Sequence, residues 1–354
     1  MSLLSPTSAL VTRIKGQQVP SSMANSQIFY QNLEESLDVR RASHTFYSIV
    51  DNNWQTEGVV DFCSNDQLSL SSSGVLRAEF LAELAKYPGF PTGSTGSRLI
   101  DGNYKYLEQA EKDIATFHGA EEGLIFHSGF DANVAIWTAI PRPGDVLLYD
   151  ESVHASTHEG MKQSLASQRF DFQHNHIESF RDALASVFDT IPLIKQGKRS
   201  VIIAVESVYS MDGDMCPLQE FVEIAADISC GRGNVQFVVD EAHSTGLFGP
   251  QGRGFVCELG LEKDIALVIH TFGKAMGSAG VEHPVVPLNQ SRLRITLHAA
   301  NTEDEVEGLA QSILAWADET LAIEEGRSEE KVTQSARVVY DWMKHEGLVG
   351  FGLT

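Results

Sequence analysis

The chain has 354 residues, enough for one large domain or for a large domain with a smaller lobe. Its 48 acids against 26 bases give a formal net charge of -22, so the surface repels nucleic acid and anionic lipid, and neither is expected as a partner. Cys63, Cys216, Cys230 and Cys257 are far apart and lack CxxC pairing, which indicates neither a metal site nor a disulfide framework and points to a reducing, cytoplasmic setting. No apolar run nears the roughly 18 residues that a membrane span needs.

Residues 1–25 are rich in Ser, Gln and Pro without periodicity and read as a disordered tail, in which Arg13 and Lys15 alone make a weak mitochondrial signal. An N-terminal arm over 26–60 opens with a helix that sets Ile28, Leu33 and Leu37 near one face and ends on Arg40 and Arg41. Phe62-Cys63-Ser64-Asn65-Asp66 is a polar turn. Residues 93–98, GSTGSR, form a donor-rich loop without the GxxxxGK[ST] pattern of a nucleotide-phosphate loop. A helix over 104–117 and a strand over 124–126 follow. The turn Ser128-Gly129-Phe130 then opens another helix, whose free N–H groups suit an anion.

Residues 145–149 read as a strand that leads into Asp150-Glu151-Ser152-Val153-His154, and residues 200–206 as a buried strand that leads into a loop carrying Ser210 and Asp212. Pro217 starts a helix through 228, with Leu218, Phe221, Val222 and Ala225 at helical spacing. Two further apolar runs, 235–239 and 265–269, stop at Asp240 and at His270-Thr271-Phe272-Gly273-Lys274. Strands alternating with helices imply an α/β fold, a mostly parallel sheet covered on both faces. Its strand ends bring an acid, an imidazole, a hydroxyl and an amine to one crevice. That set suits pyridoxal phosphate: Lys274 holds the coenzyme as a Schiff base, Asp240 keeps its ring nitrogen protonated, and Thr271 with glycine-rich turns meets its phosphate. An Asp240–Lys274 ion pair is the plainer alternative. Further on, Asn301-Thr302-Glu303-Asp304-Glu305 caps a helix, and residues 331–345 form one more.

The stretches FCSND, GSTGSRLIDGN, FHSGFDAN, DESVHAS, ESVYSMDGD, VVDEAHSTG, TFGKAMGSAG and RLRITLHAA occur in that order. In this the chain resembles the α-oxoamine synthases, fold-type I pyridoxal phosphate enzymes that condense an amino acid with an acyl thioester and release carbon dioxide. The resemblance implies a pyridoxal phosphate-binding large domain over 61–280 with a seven-stranded-type sheet. Only three residues separate Gly280 from Pro284, where the resemblance resumes, so most of a C-terminal α+β lobe is missing; a remnant over 281–320 and a helical extension over 321–354 are left. As implied roles, His154 stacks on the coenzyme, Ser210 and His243 reach its ring hydroxyl, and Ser128, Gly129, Phe130 and Thr271 cradle its phosphate. On the substrate side Asn65 lies near the amino acid and Arg294 binds its carboxylate. A homodimer is implied, with CoA or a carrier protein bearing the acyl group. TFGKAMG resembles the 8-amino-7-oxononanoate synthase branch. Gln67 and Glu282 depart from the family pattern, which leaves an aminotransferase as an alternative, and the missing lobe leaves a non-catalytic or truncated homologue as another.

Overall fold

The computed structural model describes residues 26–42, 46, 60–90, 93–276, 295–328, 330 and 332–345. They fall into two compact units, Cys63–Ala299 and Met1–Phe62 with Ala300–Thr354. The helices are α1 (Ile28–Ala42), α2 (Val75–Lys86), α3 (Lys105–His118), α4 (Gly129–Ala139), α5 (Ala155–Lys162), α6 (Ile177–Thr190), α7 (Pro192–Lys195), α8 (Leu218–Ser229), α9 (Phe255–Leu259), α10 (Glu303–Glu324) and α11 (Gln334–His345). The strands are β1 (Val146–Asp150), β2 (Gln168–Phe172), β3 (Val201–Glu206), β4 (Val235–Asp240) and β5 (Leu267–Ile269). The tail and residues 281–294 of the expected lobe remnant, Arg294 among them, lie outside the described residues.

In the larger unit the sheet runs β2-β1-β3-β4-β5 with every ladder parallel. Its central strands are near-continuous apolar runs because a parallel strand is covered on both faces; β3, VIIAVE, is buried at every position. On one face α6 and α8 pack over the strands. There Phe180 lies 5.1 Å from Phe172 and 4.5 Å from Phe221, ring centre to ring centre, and Leu184 and Phe237 extend the same core. On the other face α4 packs on α5 and against β5.

Five strands, not seven, are present among the described residues. Residues 124–126 form no regular element and join no ladder: the Glu111 carboxylate accepts the N–H of Ile125 at 2.8 Å, and Leu124, Ile125 and Phe126 are all exposed. Glu111 in turn is gripped by both outer nitrogens of Arg98, at 2.6 and 2.8 Å, which anchors the GSTGSR loop to α3. Strand β2 has no counterpart in the sequence reading. Its QRFDF sequence is polar, and at the sheet edge four of its five residues are exposed, as suits an edge that discourages further pairing.

In the smaller unit α1 ends on the basic turn, where Arg41 pairs with Glu34 and Asp38 at 2.6 Å each. Helix α10 starts with a full capping box: the Thr302 hydroxyl accepts the Glu305 N–H, and the Glu305 carboxylate accepts the Thr302 N–H.

The contact between α4 and α5 depends on Gly160. A Cβ at that position would lie 2.8 Å from the Cβ of Trp137 and 2.9 Å from the Cα of Val134, closer than packed carbons approach. Gly160→Ala forces the two helices apart and is expected to cost about 1–3 kcal/mol, the range for overpacking, read as a lowered urea midpoint. An unchanged midpoint would show that the helices adjust freely there.

Candidate active site

Parallel pairing brings the strand ends level. Glu206, the last residue of β3, is in register with Asp240, the last of β4, which is in register with Ile269, the last of β5. Asp150 closes β1 in the same way. Beyond these ends the chain turns into the segments that carry His154, His243 and Lys274. Residues 128–130 at the start of α4, together with His154, Glu206, Asp240, His243, Thr271 and Lys274, line one cleft of about 1340 Å³. A crevice beyond the carboxyl ends of parallel strands is the usual ligand site of such sheets.

Lys274 is 5 % exposed, and its Nζ lies 2.8 Å from His243 Nε2. Asp240 receives two donors, the N–H of Ala242 on Oδ1 at 2.9 Å and the side-chain amide of Asn133 on Oδ2 at 2.7 Å. His154 caps α5, its Nδ1 accepting the N–H of Ser156, and its backbone N–H is held by the Glu206 carboxylate. The ring of Phe130 meets it edge-on at 6.2 Å. At the start of α4 the Ser128 hydroxyl is occupied locally: it accepts the N–H of Asp131 and donates to the Asp131 carboxylate. The amides of Gly129 and Phe130, in the first turn, face no intrahelical acceptor. Gly129 backs onto Thr271, whose Cβ would sit 3.5 Å from any Cβ placed there.

The electrostatics follow from burial. Glu206 is pushed well above the usual carboxyl range by burial first and by neighbouring Asp240 second. Glu241, wholly buried, rises to about 7 for the same first reason, although Val256 and Phe255 at the start of α9 donate their N–H groups to it. Burial and the adjacent His118 drive His270 down to about 3. The two imidazoles stack at 3.6 Å with 22° between their planes. His270 Nδ1 and Glu241 Oε2 are 3.5 Å apart, and burial pushes each toward its neutral form, the imidazole downward and the carboxyl upward. The Thr245 hydroxyl donates to the Glu241 carbonyl at 2.8 Å, which leaves its oxygen to accept from His270 Nδ1 at 2.9 Å.

Of the residues singled out from the sequence, Ser128, Gly129, Phe130, His154, Asp240, His243, Thr271 and Lys274 come together in the cleft. Ser210 and Asn65 are half-buried and do not line it. Ser210 sits in a loop closed on itself by the Val208–Met215 bridge and the bond from Gly213 N–H to the Tyr209 carbonyl. Asn65 lies in a turn pinned to residues 298 and 299, through Ser64 to His298 at 3.0 Å and through the Ala299 N–H to the Gln67 carbonyl at 2.6 Å. Glu206 and Asn133 were missed. Glu206 ends an apolar run as Asp240 does, a signal open to reading; nothing local marks Asn133, whose partner is 107 residues away.

The sequence profile of the aminotransferase class I and II family matches residues 57–282, and the chain belongs to that family, which is pyridoxal phosphate-dependent. It is 53% identical over 274 residues to an aminoacyl transferase sphA of Byssochlamys spectabilis, covering 77% of this chain and 58% of that one. With an 8-amino-7-oxononanoate synthase of Emericella nidulans it shares 48% over 256 residues, covering 72% and 59%. The serine palmitoyltransferase of S. paucimobilis, an α-oxoamine synthase solved with pyridoxal phosphate and myriocin, superposes with a TM-score of 0.56 at 26% identity, covering 73% and 62%. The chain thus spans about three-fifths of the length of these relatives.

At the end of β1, His174 bridges Asp150, at 2.9 Å from Nδ1, and Asp214, at 3.0 Å from Nε2. Burial opposes its imidazolium, but the two carboxylates outweigh burial and raise its pKa. A base whose folded pKa lies above its unfolded one lends stability that is complete below the unfolded pKa, near 6.5, and is lost as the pH climbs through the folded value. His174→Gln is therefore expected to lower the urea midpoint more at pH 6 than at pH 8.5. Equal losses at both would show that the bridge carries no charge.

Proposed function

We propose that the protein is a pyridoxal phosphate-dependent transferase of the α-oxoamine synthase type, condensing an amino acid with an acyl thioester and releasing carbon dioxide, in the manner of 8-amino-7-oxononanoate synthase. One observation carries the reading: the Lys274 amine and the doubly hydrogen-bonded Asp240 carboxylate open onto the same cleft from the ends of neighbouring strands, with His154 and His243 beside them. The donor set fits the coenzyme. A carboxylate, an amine, a flat ring and the free amides of a helix start are what its ring nitrogen, aldehyde, face and phosphate need.

When bound, pyridoxal phosphate supplies an electron sink next to the α-carbon of an amino acid. Lys274 Nζ is the group that takes and returns the α-proton, and His243 Nε2, hydrogen-bonded to it, orients that amine. Asp240 holds a proton at the ring nitrogen. His154, fixed by Glu206 and by its own cap, offers the flat face for stacking. The amides of Gly129 and Phe130 and the Thr271 hydroxyl bind phosphate. Asn65 and Arg294 are assigned to the amino-acid side on the resemblance. We also assign the protein a homodimeric assembly, on the same ground.

The purified protein mixed with pyridoxal phosphate should gain a visible absorbance band that Lys274→Ala abolishes. With carboxyl-labelled L-alanine and pimeloyl-CoA, or L-serine and palmitoyl-CoA, labelled carbon dioxide should appear only when both substrates are present. Lys274→Ala should reduce that release at least ~10²–10⁴-fold, the usual reach of a general base. A keto acid without carbon dioxide would point to an aminotransferase. A coenzyme-free protein would be a non-catalytic homologue.

A further inference from the structure

Two carboxyl groups end neighbouring central strands of the sheet. Glu206 and Asp240 are ladder partners, 5 % and 8 % exposed. Neighbouring carboxyls in so dry a place do not both ionise easily, and the one that receives more donors keeps the charge more readily.

The donors are unevenly shared. Asp240 has the Ala242 N–H on one oxygen and the Asn133 amide on the other, whereas Glu206 has the His154 N–H. Asn133 is 2 % exposed and cannot be turned round: a carboxylate only accepts, so the amide must give its NH₂ to Asp240 and leave its oxygen for another donor. That donor is the Thr157 hydroxyl, at 3.2 Å. Thr157 is itself 3 % exposed, on the helix that the small Gly160 allows to lie against α4. The chain of bonds thus runs from α5 through α4 to the end of β4.

We propose that Asn133, oriented by Thr157, is the positioning residue that fixes the Asp240 carboxylate and leaves to Glu206 the proton the two would otherwise contest. The inference rests on the coenzyme reading above, in which Asp240 holds a proton at the ring nitrogen. The upward displacement of the Glu206 carboxyl accords with it. The other titratable groups felt by the pair are Lys274, Asp150, Glu241, Tyr209 and Cys216, with His154 bonded to Glu206, and all of them stay in place in the test below.

The experiment loads the full chain with pyridoxal phosphate labelled with nitrogen-15 in the ring and follows ring-nitrogen protonation by NMR as the pH is raised. In Asn133→Leu the nitrogen should lose its proton at lower pH than in the wild type, by on the order of one pH unit, the effect of a lost donor to a buried carboxylate. Adding Glu206→Gln should move the midpoint back toward wild type, a rescue that loosened packing does not produce. Thr157→Val should shift it the same way by less, and it stands in for Asn133→Leu if that variant does not fold. Wild-type titration in the Asn133 and Thr157 variants, or a double variant no different from Asn133→Leu, would overturn the inference while the coenzyme reading stands. A wild-type protein that takes up no coenzyme would overturn both.

Discussion

The in-register ends of β3, β4 and β5 are the constraint on which the site depends. Parallel ladders align Glu206 with Asp240 and Asp240 with Ile269, so three apolar runs of different sequence stop at one level. Each run stops where the buried layer stops, because a carboxyl or imidazole inside it would lose its water without a partner. At that edge the chain turns polar, and the segments carrying His154, His243 and Lys274 leave from it.

What keeps so many polar groups in one buried place is the supply of partners. Asp240 and Glu206 receive amides, Glu241 receives the backbone N–H groups that open α9, and Lys274 meets His243. Burial favours the neutral form of an ionisable group, and it shifts His270 and Glu241, 3.5 Å apart, each in that direction. Gly254 belongs to the same arrangement. With φ at 106° it holds a backbone shape few residues tolerate, and a Cβ there would overlap the Glu241 carboxylate.

Packing far from the cleft reaches the site through helices. Gly160 lets α5 lie against α4, and that contact lets Thr157 meet Asn133 and Asn133 meet Asp240. On the opposite face the aromatic core of Phe172, Phe180, Phe221 and Phe237 packs the sheet against α6 and α8. The two faces therefore do different work: one supplies apolar burial, and the other converts helix packing into the orientation of a single carboxylate.

By itself the sequence determined where the buried strands run and where they end. Hydrophobic burial is local in its pattern: an apolar run over 235–239 before Asp240, or 265–269 before His270, marks a covered strand and a polar exit without reference to the rest of the chain. The start of α4 at Ser128 and the capping box at Thr302 were legible for the same reason, since each cap bonds three residues away. The tertiary structure alone decided that Asn133 meets Asp240, that Glu206 shares its edge, that Glu111 takes the Ile125 N–H a strand would have used, and that polar QRFDF pairs as an edge strand. Those outcomes depend on hydrogen bonds between groups distant in the chain, chosen by which helices and strands pack together, and side-chain periodicity carries no trace of them.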